Sequence, residues 1–183
     1  MNETRHDPAA ASAAANLLQA RARLLARESA TDAAADGSWL DVVEFGLADE
    51  VHALELAYVR EVGPLVEVTP LPGLPDHVLG VTCVRGQILA VVDLRKIFGL
   101  AERGLRDSRQ VIVLQSADLE FGVLAERIIG VRRLCVAGLQ ASLPTLTEVR
   151  AAYLKGVTAD GTVVLAAAKL LADPTLVVNQ SEP

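Results

Sequence analysis

The stretch from Leu71 to Leu100 constrains the fold of this chain more than any other. Pro72 and Pro75 break its approach, because proline cannot donate to a sheet ladder. Beyond Val78, a β-rich segment over residues 80–85 meets an apolar segment over 87–92, and Arg85-Gly86 provides a tight turn between them. Asp93 stands directly before Leu94, where a helix cap belongs, since its carboxylate can accept from the first unpartnered backbone N–H groups. Strand, turn, strand and capped helix follow one another with almost no residues suited to catalysis. The stretch reads as scaffold.

A period of two extends in both directions. Val43, Phe45 and Leu47 alternate with Val42, Glu44 and Gly46, and a reversal at Asp49-Glu50 leads into residues 51–56 as an antiparallel hairpin. Residues 59–62 form a third strand that leads to Pro64, and Pro70, Pro72 and Pro75 forbid regular pairing until Val78. After a helix end over 95–100 and a charged loop over 101–108, strands are expected over 111–114, 121–126 and 128–134. A long loop then runs to Arg150, followed by strands over 154–157 and 162–166 around Asp160-Gly161, a dipeptide suited to a hairpin turn. Residues 167–171 read as a short helix that Asp173-Pro174 ends, leaving 174–183 as a tail. Two successive five-stranded sets imply two barrels, over 39–98 and 109–166, each removing its own exposed edges.

Aromatic residues make up only 3% of the chain, so the core must be built from Val, Leu, Ile and Ala. A net charge of -6 argues against a phosphate-binding surface and hence against nucleic acid. Cys83 and Cys135 lack Cys-x-x-Cys spacing and read as small buried hydrophobes, reduced in a cytoplasmic protein without a secretory leader or an apolar span. Residues 1–38 form an Ala-rich extension in which Leu17, Leu18, Leu24 and Leu25 support a helix from about Pro8 to Glu28. Its Arg5, Arg21, Arg23 and Arg27 are balanced by Glu3, Asp7, Glu28, Asp32 and Asp36, so it is no basic membrane anchor. It is expected to be a solvated helix joined by a linker over 31–38, the alternative being a helix that docks on the domain or on a partner.

Several blocks, in order, resemble the CheW-like family, the adaptor module of bacterial chemotaxis. They are residues 52–62, the Leu-Pro-Gly-Leu-Pro of 71–75, the Gly-Val-Thr-Cys-Val-Arg-Gly of 80–86, the Val-Asp-Leu-Arg of 92–95, and residues 110–114, 121–126 and 153–161. The resemblance spans about residues 39–171. There are three departures from the family pattern, at four positions: Cys83 replaces Asn, His52 replaces Tyr, and Ala125-Glu126 replaces Val-Asp. It implies a mainly β fold of two packed SH3-like five-stranded β-barrels with short helices, forming one domain over 39–173 with a groove between the barrels. It also implies a non-enzymatic adaptor coupling chemoreceptors to a CheA-type histidine kinase. One barrel face would serve the kinase regulatory domain, and the groove, near residues 80–86 and the second barrel, the receptor cytoplasmic tip. Such a protein is recruited to receptor arrays at the inner face of the membrane without inserting into it.

The residues themselves supply no converging catalytic set. There is no phosphate-binding loop and no nucleophile elbow, and His6, His52 and His77 lie in unlike contexts, so no catalytic residue, metal or cofactor is assigned. His77 beside Asp76 reads as an exposed polar residue, and His52 as a packed side chain standing in for an aromatic. The alternative is a small barrel that reads peptides or single-stranded nucleic acid, which needs clustered surface aromatics. Trp39, Tyr58 and Tyr153 are instead scattered along the chain. Partner-facing positions are expected at Glu61, Gly80, Val84, Arg85 and Gly86, with barrel closure bringing Glu61 and Arg85 together as a pair, the alternative being two independent surface charges. Asp93, Asp160 and Gly161 are expected to cap and turn the chain.

Overall fold

Continuous apolar runs such as Val-Ile-Val-Leu at 111–114 demand strands buried on both faces, and that demand organises the molecule. The computed structural model describes residues 38–101, 109–141 and 148–176. The expected helix from Pro8 to Glu28, the linker up to Gly37, most of the charged loop and the end of the tail lie outside the described residues.

Strands β1 (Trp39–Leu47) and β2 (Glu50–Glu55) lead through a 3-10 turn (Leu56–Tyr58) to β3 (Val59–Pro64), β4 (Val78–Val84), β5 (Gln87–Val92) and helix α1 (Leu94–Phe98). Strands β6 (Gln110–Gln115), β7 (Glu120–Ala125) and β8 (Arg127–Cys135) follow, with a second 3-10 turn (Val136–Gly138). Helix α2 (Glu148–Tyr153), β9 (Leu154–Val157), β10 (Val163–Leu165) and α3 (Ala167–Ala172) complete the order. Helix α2 occupies the end of what was expected to be a long loop. The first reversal falls at Ala48-Asp49, with Leu47 paired to Glu50.

The strands form two five-stranded sheets, but not from successive halves of the chain. One sheet runs β3-β6-β7-β5-β4 and is here called the central barrel; the other runs β8-β1-β2-β10-β9 and is called the terminal barrel. The expected division at 39–98 and 109–166 is therefore corrected. β1 takes β8 as its second antiparallel neighbour, and β2 pairs parallel with β10, so the N-terminal hairpin belongs with the C-terminal strands. Local turn signals report hairpins, whereas these pairings span most of the chain.

Each sheet closes through one bridge made by the chain just past an edge strand. In the central barrel Thr69 and Val81 exchange both backbone hydrogen bonds, at 2.8 and 2.9 Å; in the terminal barrel Gln140 and Val157 do so at 2.9 Å each. The register slips by one residue just before each bridging strand residue, between Val78 and Gly80 in one barrel and between Val164 and Leu165, opposite Lys155, in the other. A glycine precedes the bridge in both. A Cβ on Gly80 would lie 2.2 Å from the Thr69 carbonyl oxygen, and one on Gly156 2.7 Å from Leu139 Cβ. Strand for strand, β3, β4, β5, β6 and β7 correspond to β8, β9, β10, β1 and β2, so the terminal barrel repeats the central one in permuted order.

Alternation along the strands divides the core. One face of the central barrel buries Leu89, Val111 and Val113, and one face of the terminal barrel buries Val42, Ala53, Leu134 and Val164. The opposite faces meet in a larger shared core that includes Phe45, Leu54, Phe98, Ile112, Leu114 and Phe121. At about 25 cal/mol per Å² of apolar surface removed from water, this shared core is what holds the barrels together. Arg95 of α1 adds a polar tie. Its guanidinium bonds the buried Asp93, at 2.7 Å from Nη2 to Oδ2, and Glu126 at 3.0 Å, while Glu126 also accepts from the Ala48 backbone N–H.

Candidate partner-docking hairpins

The β4–β5 hairpin reverses through Arg85 and Gly86, both at positive φ (49° and 84°), as a two-residue turn matched to strand twist requires. Arginine in that conformation is strained relative to glycine, and its side chain remains 82% exposed. Its Nε lies 2.5 Å from Oε2 of Glu61, so the expected pair is formed. The other carboxylate oxygen of Glu61 accepts from Nη2 of Arg60 at 2.7 Å. Arg60 also reaches Gln87 and Glu120. The Arg60 hydrogen bond, aided by Arg85, holds the Glu61 carboxyl below the usual carboxylate range.

Period-two reasoning puts Arg60 and Glu61 on opposite faces and so misses Arg60. The structure places a register shift there: Val59 pairs with Leu114 and Glu61 with Val113, leaving Arg60 as the extra residue of a bulge. Gly80 was expected to face a partner, but it is buried beneath Thr69 and serves barrel closure. Val84 is half-buried against the Leu89, Val111 and Val113 cluster. Gly86 completes the turn.

Cys83 is a further correction. It is exposed because Val78, Gly80 and Thr82 take the inward positions of β4 while Cys83 pairs across from Ile88 on the outer face, and Cys135 at the end of β8 is only half-buried. Cys83, Pro64, Val66 and Ile88 help to line a surface concavity of about 380 Å³, with Val66 88% and Ile88 75% exposed. An apolar face of this kind beside a charged hairpin is the usual make-up of a protein-binding surface.

The corresponding hairpin of the terminal barrel carries Asp160 and Gly161, the latter at φ 89°. Asp160 accepts from the Thr158 hydroxyl and lies 2.7 Å from Nη1 of Arg132, and these two partners, the hydroxyl first, lower its pKa. The same Arg132 nitrogen lies 3.1 Å from Oε1 of the buried Glu44. Strand β8 also exposes Ile129 and Val131. Asp93 caps α1 as expected, its Oδ1 accepting from the Arg95 backbone N–H at 3.0 Å.

Among the described residues, neither His52 nor His77 lies in a reactive setting. His52 is fully buried between Phe45 and Phe98, with ring centroids at 5.9 and 6.1 Å, and burial pushes its pKa down to about 4. His77 is only partly exposed, and its Nε2 donates to the Thr175 carbonyl at 3.0 Å, so it anchors the C-terminal segment. Among the described residues, no group of His, Cys, Asp and Glu is arranged to hold a metal ion, and no helix is long and apolar enough to cross a membrane.

Paired five-stranded barrels that share a core, and that present charged hairpins and apolar outer faces, define a class of protein that works by holding other proteins. Residues 41–174 match the CheW-like domain, and the chain belongs to that family, a family of non-enzymatic scaffolds in bacterial chemotaxis signalling. It is 27% identical to the chemotaxis protein CheW of Treponema pallidum over 125 residues, which is 66% of this chain and 74% of that protein. It is 28% identical to the protein PilI of Pseudomonas aeruginosa over 137 residues, 75% of this chain and 76% of that one. The crystal structure of the scaffolding protein TtCheW from Thermoanaerobacter tengcongensis superposes with a TM-score of 0.62 at 26% identity, covering 70% of this chain and 89% of that chain.

Proposed function

We propose that this chain couples chemoreceptors to a CheA-type histidine kinase. In this reading the β4–β5 hairpin, expected from the sequence to border the receptor groove, instead joins the adjoining Val66–Ile88 face of the central barrel in binding the kinase's regulatory domain. The apolar outer residues of β8 receive the receptor's cytoplasmic tip, and the chain is thereby recruited to arrays at the inner face of the membrane. The observation that carries the kinase assignment is Arg85, a charged side chain held in a strained turn by Glu61 beside exposed Ile88. Non-glycine residues at positive φ persist where surrounding structure enforces them, and they cluster at binding sites.

Coupling needs no chemistry. Each contact can be micromolar, because joining one partner makes the next contact effectively intramolecular and raises avidity by about a hundredfold. A receptor state that fits differently then shifts the populations of kinase poses, by as much as its differential affinity allows. Calorimetric titration of the full chain with the kinase regulatory domain, and separately with a receptor tip, tests the reading. Both bind, and absence of heat for either at about 100 μM overturns the assignment of that partner.

A further inference from the structure

We propose that Arg60 is the positioning residue of the central barrel's docking hairpin: it grips Glu61 from behind, and Glu61 in turn fixes the Arg85 side chain at the tip. The part played in docking rests on the function proposed above; the positioning itself does not. Three observations support it. The bulge at Arg60 turns two sequence neighbours to the same side, which an unbroken strand would forbid. Arg60 spans three elements, reaching Glu61 on β3, Gln87 on β5 and Glu120 on β7, so it is itself held from several directions. Together Arg60, Glu61, Arg85 and Gln87 line a surface concavity of about 300 Å³.

The terminal barrel carries a charge chain of reversed signs, with its anchor on the neighbouring strand β1 and its central charge on β8. Buried Glu44 holds Arg132, and Arg132 holds Asp160 at the hairpin. A central charge on equivalent strands β3 and β8 and a tip charge at equivalent hairpins thus recur, as Glu61–Arg85 in one barrel and Arg132–Asp160 in the other, while the anchors Arg60 and Glu44 come from non-equivalent strands. A planar guanidinium suits the anchor role, because its fork can bond two carboxylates at once, which a lysine ammonium does less well. Holding Glu61 at both oxygens removes rotamer freedom from Arg85 before a partner arrives, and preorganisation of that kind lowers the entropic cost of docking.

The test is an NMR titration of the Glu61 side-chain carboxyl in the full chain, with the groups facing it being Arg60, Arg85, Gln87 and Glu120. Arg60→Gln raises the Glu61 midpoint more than Arg85→Gln does, and it broadens the Arg85 side-chain N–H signal. Arg60→Lys, which retains the charge beside Glu120, moves both in the same direction by less, and it serves if the glutamine variant folds poorly. Affinity for the kinase regulatory domain falls about fivefold in Arg60→Gln, and adding Arg85→Gln weakens it by less than the product of the single effects. An unchanged Glu61 titration and Arg85 signal in folded Arg60→Gln and Arg60→Lys overturn the positioning role. Shifts as stated in a chain that does not bind the kinase domain uphold the positioning and overturn the proposed partner instead.

Discussion

The central barrel turns an arginine outward at its β4–β5 hairpin, and the terminal barrel turns an aspartate outward at the corresponding β9–β10 hairpin. Beneath these opposite tips the backbones agree closely. Both sheets keep one strand order, both contain a parallel pair at the same place, and both close through a bridged residue that follows a glycine and a register slip. The devices that close a barrel allow little variation, because buried N–H and C=O groups must be paired. The hairpin tips face solvent and are under no such demand. One scaffold used twice therefore provides two surfaces of different charge, which suits the proposed role of joining unlike partners.

The closing glycines give the severest challenge to that equivalence. Gly80 combines a φ of 138° with a would-be Cβ only 2.2 Å from backbone oxygen, while Gly156 faces Leu139 at 2.7 Å without an unusual φ. Gly80→Ala is expected to cost about 3–4 kcal/mol and Gly156→Ala about 1–2 kcal/mol, read as melting temperatures. Equal losses would mean that steric closure alone, and not backbone conformation, limits both barrels.

A second difference lies inside. Where the parallel pairing of the central barrel sets Gly122 opposite Val91, that of the terminal barrel sets His52 opposite Val163. With a pKa near 4 in the fold against 6.5 when solvated, His52 binds fewer protons folded than unfolded between those values. Stability is thus complete above about pH 6.5 and declines as pH falls, by about 3 kcal/mol at pH 4 from this group. His52→Phe should remove that part of the acid limb in pH-dependent denaturation, and superimposable pH profiles for the two proteins would contradict the burial argument.

The ion chains should separate the barrels more finely. Arg132→Ala strands the buried carboxylate of Glu44 and should lower stability by about 1–2 kcal/mol. Arg85→Ala removes a side chain that is 82% exposed and should change stability by less than about 0.5 kcal/mol in the same denaturation assay. A larger loss at Arg85 would make it a structural residue.

Much of the fold was legible because its signals are local. Alternation and short apolar runs located the strands to within a few residues, the Arg85-Gly86 and Asp160-Gly161 dipeptides marked their turns, and Asp93 announced its helix. The exchange of hairpins between barrels was not legible, since nothing in β1 or β2 encodes that β8 and β10 are their neighbours. The Glu61–Arg85 pair could be anticipated from hairpin order, but Arg60 could not, because a bulge leaves no mark in a pattern read with period two. Cys83 departs from expectation for a related reason: burial of cysteine is a tendency of the residue type, whereas the face it takes on β4 is set by register.

The most direct measurement is calorimetric titration of the kinase regulatory domain into the folded wild-type chain, Arg85→Glu, and Arg85→Glu combined with Glu61→Arg. The account predicts binding to the wild type, a loss of about tenfold or more in the single variant, and partial recovery when the pair is restored in reverse. Equal affinity for all three proteins would contradict it.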